Sequence, residues 1–229
     1  MDRTVLITGG SGGLGAPVTR AFLDAGWRVV VPIFDESERA RMPQDPGLQL
    51  VTADLFDEAS VKEVVDAAAA PDAPLRAVVN LVGGYAAGGR VHETPVADFE
   101  KQFHLNLRPT YLVCAAALPH LVNADSGAIV CVSTRAAIRP FSGAAGYISS
   151  KAAVLAFVDA LAAEYRDDDV RVNAILPSVI DTPGNRASQP DADYDTWVSP
   201  REIADVLLFL CDDASAVVSG AHVPVYGKA

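Results

Sequence analysis

Tyr147 and Lys151, in the run Tyr147-Ile148-Ser149-Ser150-Lys151, are the two side chains whose types and spacing point most directly to chemistry. The Ala- and Leu-rich residues after them predict a helix, on which positions four apart share one face. A phenol and an ammonium then occupy one small site. The fixed positive charge favours phenolate, so the tyrosine pKa is expected to fall from its ordinary value of about 10 toward working pH. A tyrosine tuned in this way can give or take a proton. The same spacing also suits a surface pair in which the lysine stem covers the ring, so the reading depends on the elements that hold the pair.

Those elements alternate. A β-branched run at 4–7 leads into Thr8-Gly9-Gly10-Ser11-Gly12-Gly13-Leu14-Gly15, followed by a helix-like segment with apolar Val18, Ala21, Phe22 and Ala25. Strand, glycine turn and helix form a nucleotide-binding unit: glycine lets the backbone approach a pyrophosphate and aims the helix amides at its charge. Further strands are expected at 29–31, 48–51, 77–82, 128–133, 170–176 and 222–226, with helices at 60–70, along 96–122, after Tyr147 and from a Ser199-Pro200-Arg201-Glu202 capping box to about Cys211. The 182–198 stretch, rich in Pro, Asp, Asn and Ser, reads as a mobile connection that orders over substrate. Strands alternating with helices imply an α/β architecture, a parallel sheet covered on both faces.

The 229 residues, half of them hydrophobic, suffice for one domain spanning 1–229. A net charge of −11 argues against nucleic acid or an anionic membrane surface as partner. No apolar run reaches the roughly 18 to 20 residues of a membrane span, and the amino terminus shows no signal-peptide pattern, so a cytoplasmic protein is expected. Cys114, Cys131 and Cys211 stand far apart among apolar neighbours and read as buried thiols. The four histidines lack metal-ligand spacing, and no metal is expected.

Together these pieces resemble the short-chain dehydrogenase/reductase family over nearly the whole chain. The family's glycine pattern stands here as Thr8, Gly9, Gly13 and Gly15, and its Y-x-x-x-K as Tyr147 and Lys151. The resemblance implies a Rossmann-like doubly wound sheet of about seven strands in the order 3-2-1-4-5-6-7. It also implies an NAD(P)-dependent oxidoreductase that moves a hydride between the nicotinamide and a small-molecule carbonyl or alcohol. Tyr147 would then be the acid or base, with Lys151 tuning it and holding the nicotinamide ribose. Asn106 would carry a relay water, and Thr134 would stand where the family has serine, with Ser133 the alternative if the register differs by one.

Cofactor contacts implied by the same comparison are Gly9, Ser11, Gly13, Leu14 and Gly15 in the first turn, Phe34 after the second strand, Asp54 and Leu55 at the adenine, and Asn80, Tyr147, Lys151, Pro177, Ile180 and Thr182 toward the nicotinamide. Asn80 could instead brace two strands, and Asp54 could cap a turn. The acid that NAD-preferring members place at the end of the second strand is replaced by Ile33, and the basic residues of NADP-preferring members by Gly12 and Phe34. Asp35 and Glu36 would repel a 2′-phosphate while Arg39 or Arg41 could attract it, so NAD(H) is slightly favoured over NADP(H).

On the substrate side, Arg135, Arg139 and Arg186 are candidate cations, and Tyr85, Phe141, Tyr194 and Trp197 candidate walls. The 83–89 loop, 181–186, Tyr194 and Trp197 are similar to quinoid dihydropteridine reductases, an alternative that implies pterin reduction. A homodimer or homotetramer follows from the family habit of pairing the helices around Asn106 and Tyr147. The alternative of another class is a protein that kept the nucleotide fold for sensing or scaffolding without catalysis.

Overall fold

A computed structural model describes residues 2–124 and 126–228. The elements run β1 (Thr4–Thr8), α1 (Gly15–Asp24), β2 (Arg28–Ile33), α2 (Glu36–Arg39), β3 (Leu48–Thr52), α3 (Glu58–Ala68), β4 (Leu75–Asn80), α4 (Val96–Asn106), α5 (Arg108–Asn123), β5 (Gly127–Val132), α6 (Ala145–Glu164), β6 (Val170–Pro177), α7 (Pro183–Ser188), α8 (Pro200–Cys211) and β7 (His222–Val225). All seven strands pair in parallel in the order β3-β2-β1-β4-β5-β6-β7, the Rossmann-like order that the resemblance implies.

The strands read as near-continuous apolar runs because both faces of the sheet are covered. Successive side chains of β1 go to opposite sides, with Leu6 in the core under α3, α5 and α6, and Val5 and Ile7 in the core under α1 and α8. Register brings Thr8 of β1 beside Asn80 of β4, and Asn80 beside Cys131 of β5. The carboxyl ends of the three central strands therefore finish level. The winding reverses between β1 and β4, and a crevice opens there.

Several elements differ from expectation. The long helix expected over 96–122 is two helices, α4 ending at Asn106 and α5 starting at Arg108, joined through Leu107. Pro109, in the first turn of α5, is the physical reason: its ring cannot continue the preceding helix without clash. The 182–198 connection is also built rather than featureless. Thr182 caps α7 by accepting from the Asn185 N–H at 3.2 Å, Ile180 bridges Val198, and Arg186 forms a two-point ion pair with Asp181 at 2.5 and 2.7 Å.

At 20 residues with a mean hydropathy of 1.3, α6 matches a membrane span in length and composition, although the sequence reading expected no such stretch. Its apolar character has a local cause. One side of the helix, Lys151, Val154, Leu155, Val158 and Leu161, is buried against the sheet and α4. The capping box expected at the start of α8 is present, with Ser199 and Glu202 satisfying each other's backbone N–H at 3.2 and 3.1 Å.

Candidate active site

The break between α4 and α5 puts Asn106 at the end of a helix with its side chain fully buried. Its Oδ1 accepts from the Gly84 N–H at 2.9 Å and its Nδ2 donates to Ser150 Oγ at 3.1 Å, while Ser150 Oγ donates to the Tyr147 carbonyl at 2.8 Å. The amide thus ties the loop after β4 to the first turns of α6. Gly83 lies against the same junction: a Cβ there would sit 2.6 Å from Asn106 Oδ1 and 2.9 Å from Lys151 Nζ. Only glycine allows that approach.

Lys151 is buried, and its Nζ donates to the Val132 carbonyl at 3.0 Å. Burial lowers its pKa from 10.5 to about 8, with Cys131 nearby acting weakly in the other direction. Tyr147 moves opposite to the sequence expectation. Burial raises its pKa, the nearby Thr134 hydroxyl pulls the other way, and Tyr85 adds to the rise. The lysine is not among the groups that shift the phenol, and its ammonium donates to the Val132 carbonyl.

Adjacent strand-end residues face opposite sides, and this separates the two hydroxyl candidates. Thr134 meets the Tyr147 phenol and accepts from the Ala136 N–H at 3.3 Å. Ser133 is buried and donates instead to the Lys151 carbonyl at 2.8 Å.

Beyond Tyr147 lies a cleft of about 820 Å³, walled among others by Tyr85, Phe99, Gln102, Leu105 and Ala145. Tyr85 meets Tyr147 edge-on with ring centroids 5.0 Å apart. The Gly88 N–H donates to the Gly143 carbonyl at 2.7 Å, and Gly143 has φ of +86°, so the loops after β4 and β5 are clamped together at the rim. The other expected substrate residues are engaged elsewhere. The Arg135 guanidinium lies 5.3 Å from the Tyr226 ring centre, Tyr194 and Trp197 stack edge-on at 4.8 Å, and the Tyr194 hydroxyl donates to backbone carbonyls of its own segment.

The cofactor candidates line the same edge of the sheet. Gly9 has φ of +68°, and a Cβ on Gly15 would fall 1.9 Å from the Gly9 carbonyl oxygen, so the turn excludes side chains at both places. Leu14 precedes α1 with no side-chain cap, and no acid stands in the first turn. Ala16 and Val18 donate to the Gly12 and Leu14 carbonyls and Pro17 has no N–H, so among the described residues the N–H groups left to meet an anion are those of Gly13, Leu14 and Gly15. Thr182 and Pro183 close over Gly13, whose Cβ position is 3.1 Å from the Thr182 Cβ. Phe34 is exposed after β2, Asp54 accepts from the Phe56 N–H at 2.9 Å, Leu55 and Pro177 are buried, and Ile180 stands beside Val198.

Asn80 is turned inward, with its Nδ2 3.4 Å from Cys114 Sγ and 3.7 Å from Cys131 Sγ and its Oδ1 without a partner. It braces β4, β5 and α5, as its sequence alternative allowed. The three cysteines are free thiols in the core, and burial pushes Cys211 up to about 12.

A family profile described as short chain dehydrogenase matches residues 3–193. The chain belongs to the short-chain dehydrogenase family. Family membership makes it an oxidoreductase, consistent with the glycine cradle and the Tyr147 cleft on one sheet edge. The chain is 30% identical over 245 residues to 2-(R)-hydroxypropyl-CoM dehydrogenase of Xanthobacter autotrophicus, covering 99% of this chain and 98% of that one. Among solved structures, ElxO with NADP bound superposes with a TM-score of 0.92 at 25% identity, covering 99% of this chain and 98% of that chain. The 3-ketoacyl-(acyl-carrier-protein) reductase from Brucella melitensis complexed with NADH does so with a TM-score of 0.87 at 26% identity, covering 98% and 97%.

Sequence reasoning missed Gly83 and Ser150 as positioning groups. The signal for the junction was present in Pro109, which marks the helix break that buries Asn106. The Gly83→Ala variant is expected to fold but to lose about 10²-fold in kcat, because displacing a catalytic group by an ångström costs on that order; steady-state kinetics beside circular dichroism checks it. Lys151 yields a second expectation. Its folded pKa of about 8 lies below the unfolded value, so between those limits the unfolded chain binds the extra proton and native stability rises with pH. Relative to Lys151→Met, the wild type is expected to gain up to about 3 kcal/mol from pH 8 toward 10.5, as read by urea denaturation, and to show no such gain below pH 8.

Proposed function

We propose that this chain uses a nicotinamide dinucleotide to interconvert a carbonyl and an alcohol, with Tyr147 as the group that moves the proton. The observation carrying this reading is the Tyr147 phenol in the wall of the cleft, with the buried Lys151 ammonium one helical turn behind and the Thr134 hydroxyl close enough to act on the phenol. Negative charge grows on a carbonyl oxygen as hydride reaches its carbon, so that oxygen needs a proton donor and a neutral hydrogen-bond donor. Tyr147 serves as the first and Thr134 as the second. Ser133 is spent on the Lys151 carbonyl.

The raised pKa of Tyr147 keeps the phenol protonated at neutral pH, the form required for reduction. Lys151, held by Val132, is placed to bind a ribose hydroxyl and pass a proton to the phenol. Asn106 fixes the loop that carries Tyr85 and provides the polar turn through which a water can connect Lys151 to solvent. Tyr85, Phe99 and Leu105 favour a substrate with an apolar flank.

The residues present fit the dinucleotide. The Gly13, Leu14 and Gly15 amides with Ser11 would hold the pyrophosphate, Asp54 and Leu55 the adenine, Tyr147 and Lys151 the nicotinamide ribose, and Pro177, Ile180 and Thr182 the carboxamide. When bound, the nicotinamide supplies or accepts the hydride. NAD(H) is the favoured form. The similarity to 2-(R)-hydroxypropyl-CoM dehydrogenase and to solved structures holding NADP or NADH agrees with this class of chemistry.

A homo-oligomer completes the proposal. On α6, Ala156 and Ala160 are exposed and Phe157 packs with the exposed Tyr111 of α5 at 5.9 Å between rings, an apolar surface suited to a second copy. Light scattering is expected to give a dimer or tetramer, and a monomer at micromolar concentration would reject this part.

The catalytic assignment is tested by NAD(P)H oxidation against ketones, aldehydes, quinones and quinoid dihydropterin. Tyr147→Phe is expected to lose roughly 10² to 10⁴ in rate, and Thr134→Val to fall markedly, while Ser133→Ala retains most activity. An active Tyr147→Phe enzyme, or an inactive Ser133→Ala beside an active Thr134→Val, would overturn the roles assigned.

A further inference from the structure

The second strand ends at Ile33, and the acids that follow do not all behave alike. Asp35 is consumed as the cap of α2, accepting from the Ser37 N–H at 2.8 Å, the Ser37 hydroxyl at 2.5 Å and the Glu38 N–H at 3.2 Å. Glu36 points outward to pair with Arg39 at 2.9 Å. Glu38 alone turns back over the sheet edge. Its Oε1 accepts from the Phe34 N–H at 3.1 Å, and its Oε2 accepts from the Ser11 hydroxyl in the glycine turn. Glu38 is half-buried in a segment whose other residues from 34 to 40 are exposed.

We infer that Glu38, delivered by the short helix α2, is the residue that selects the adenosine ribose of the cofactor, accepting from its hydroxyls and rejecting a 2′-phosphate. This rests on the dinucleotide reading above and names its specificity determinant. With the pyrophosphate at the α1 amides, the adenosine ribose must pass between the glycine turn and the end of β2. The Glu38 carboxylate bridges those two elements through Ser11 and Phe34. A carboxylate offers about four lone-pair sites, and two are occupied here, leaving acceptors for ribose hydroxyls.

A phosphate at the same place would meet a like charge in a half-buried position, where repulsion is poorly screened. Of the two cations that follow, Arg39 is already paired with Glu36 and Arg41 acts on Asp35. The Asp35 cap matters because it sets the turn of α2 that aims Glu38 inward.

Direct titration of NADH and NADPH into the wild type, Glu38→Gln, Glu38→Ala and Glu36→Gln, by calorimetry without substrate, tests this. The wild type is expected to bind NADH at least about tenfold more tightly than NADPH. In Glu38→Gln and Glu38→Ala the ratio should shrink by about tenfold or more, mainly through tighter NADPH binding. Glu36→Gln, which frees Arg39 but keeps the Glu38 carboxylate, should move the ratio by less than either Glu38 variant. A wild type that prefers NADPH, or a ratio unmoved in both Glu38 variants, would overturn the assignment while leaving the oxidoreductase reading intact. Failure of folded wild type to bind either dinucleotide would overturn both.

Discussion

The site depends on keeping one ammonium in a nearly dry place. Lys151 emerges from α6 under the ends of β4 and β5, and burial costs it a substantial part of its affinity for a proton. Its one hydrogen-bonded protein partner among the described residues is the Val132 carbonyl at the end of β5. Such an arrangement survives only if the strand end, the helix and the loop above are held fixed, because a small displacement would leave the charge unpaired.

The surrounding residues supply that fixity. Ser133 ties the backbone of Lys151 to the strand, Asn106 ties α6 to the loop after β4, and Gly83 leaves room for that loop to lie directly on both polar groups. Beneath, Asn80 and the thiols of Cys114 and Cys131 form a small polar patch within an otherwise apolar core. The result is a site built on strand and helix ends, with the loops at its rim joined through Gly88 and Gly143. Precise placement of this kind carries much of the rate in proton transfer, where geometry comes before pKa.

The two protonic groups are perturbed in complementary directions. Burial raises the phenol above its ordinary 10 and lowers the ammonium from 10.5 to about 8, so the two stand further apart than in water and the phenol holds its proton more firmly than the ammonium does. Transfer from the ammonium to a phenolate therefore runs downhill, and the reverse transfer uphill. The sequence suggested that charge alone would tune the tyrosine; in the folded chain the common low-dielectric setting does most of the tuning, and Thr134 opposes it on the phenol.

What the sequence by itself determined was the order of parts. Seven short strand-like runs alternating with helix-like segments specified a parallel sheet, the glycines from Gly9 to Gly15 specified the turn, and the Tyr147-Lys151 spacing placed two groups on one helix face, because each is a local pattern. The tertiary structure decided what is long-range. Whether Thr134 or Ser133 faces the phenol hangs on a strand register, and whether Asn106 is buried hangs on a helix break against α6. That Asn80 braces the core, and that Glu38 reaches the place Ile33 leaves without an acid, are set by how chain segments pack after the sheet forms. Composition and spacing carry no record of those contacts, since packing joins residues far apart in the chain.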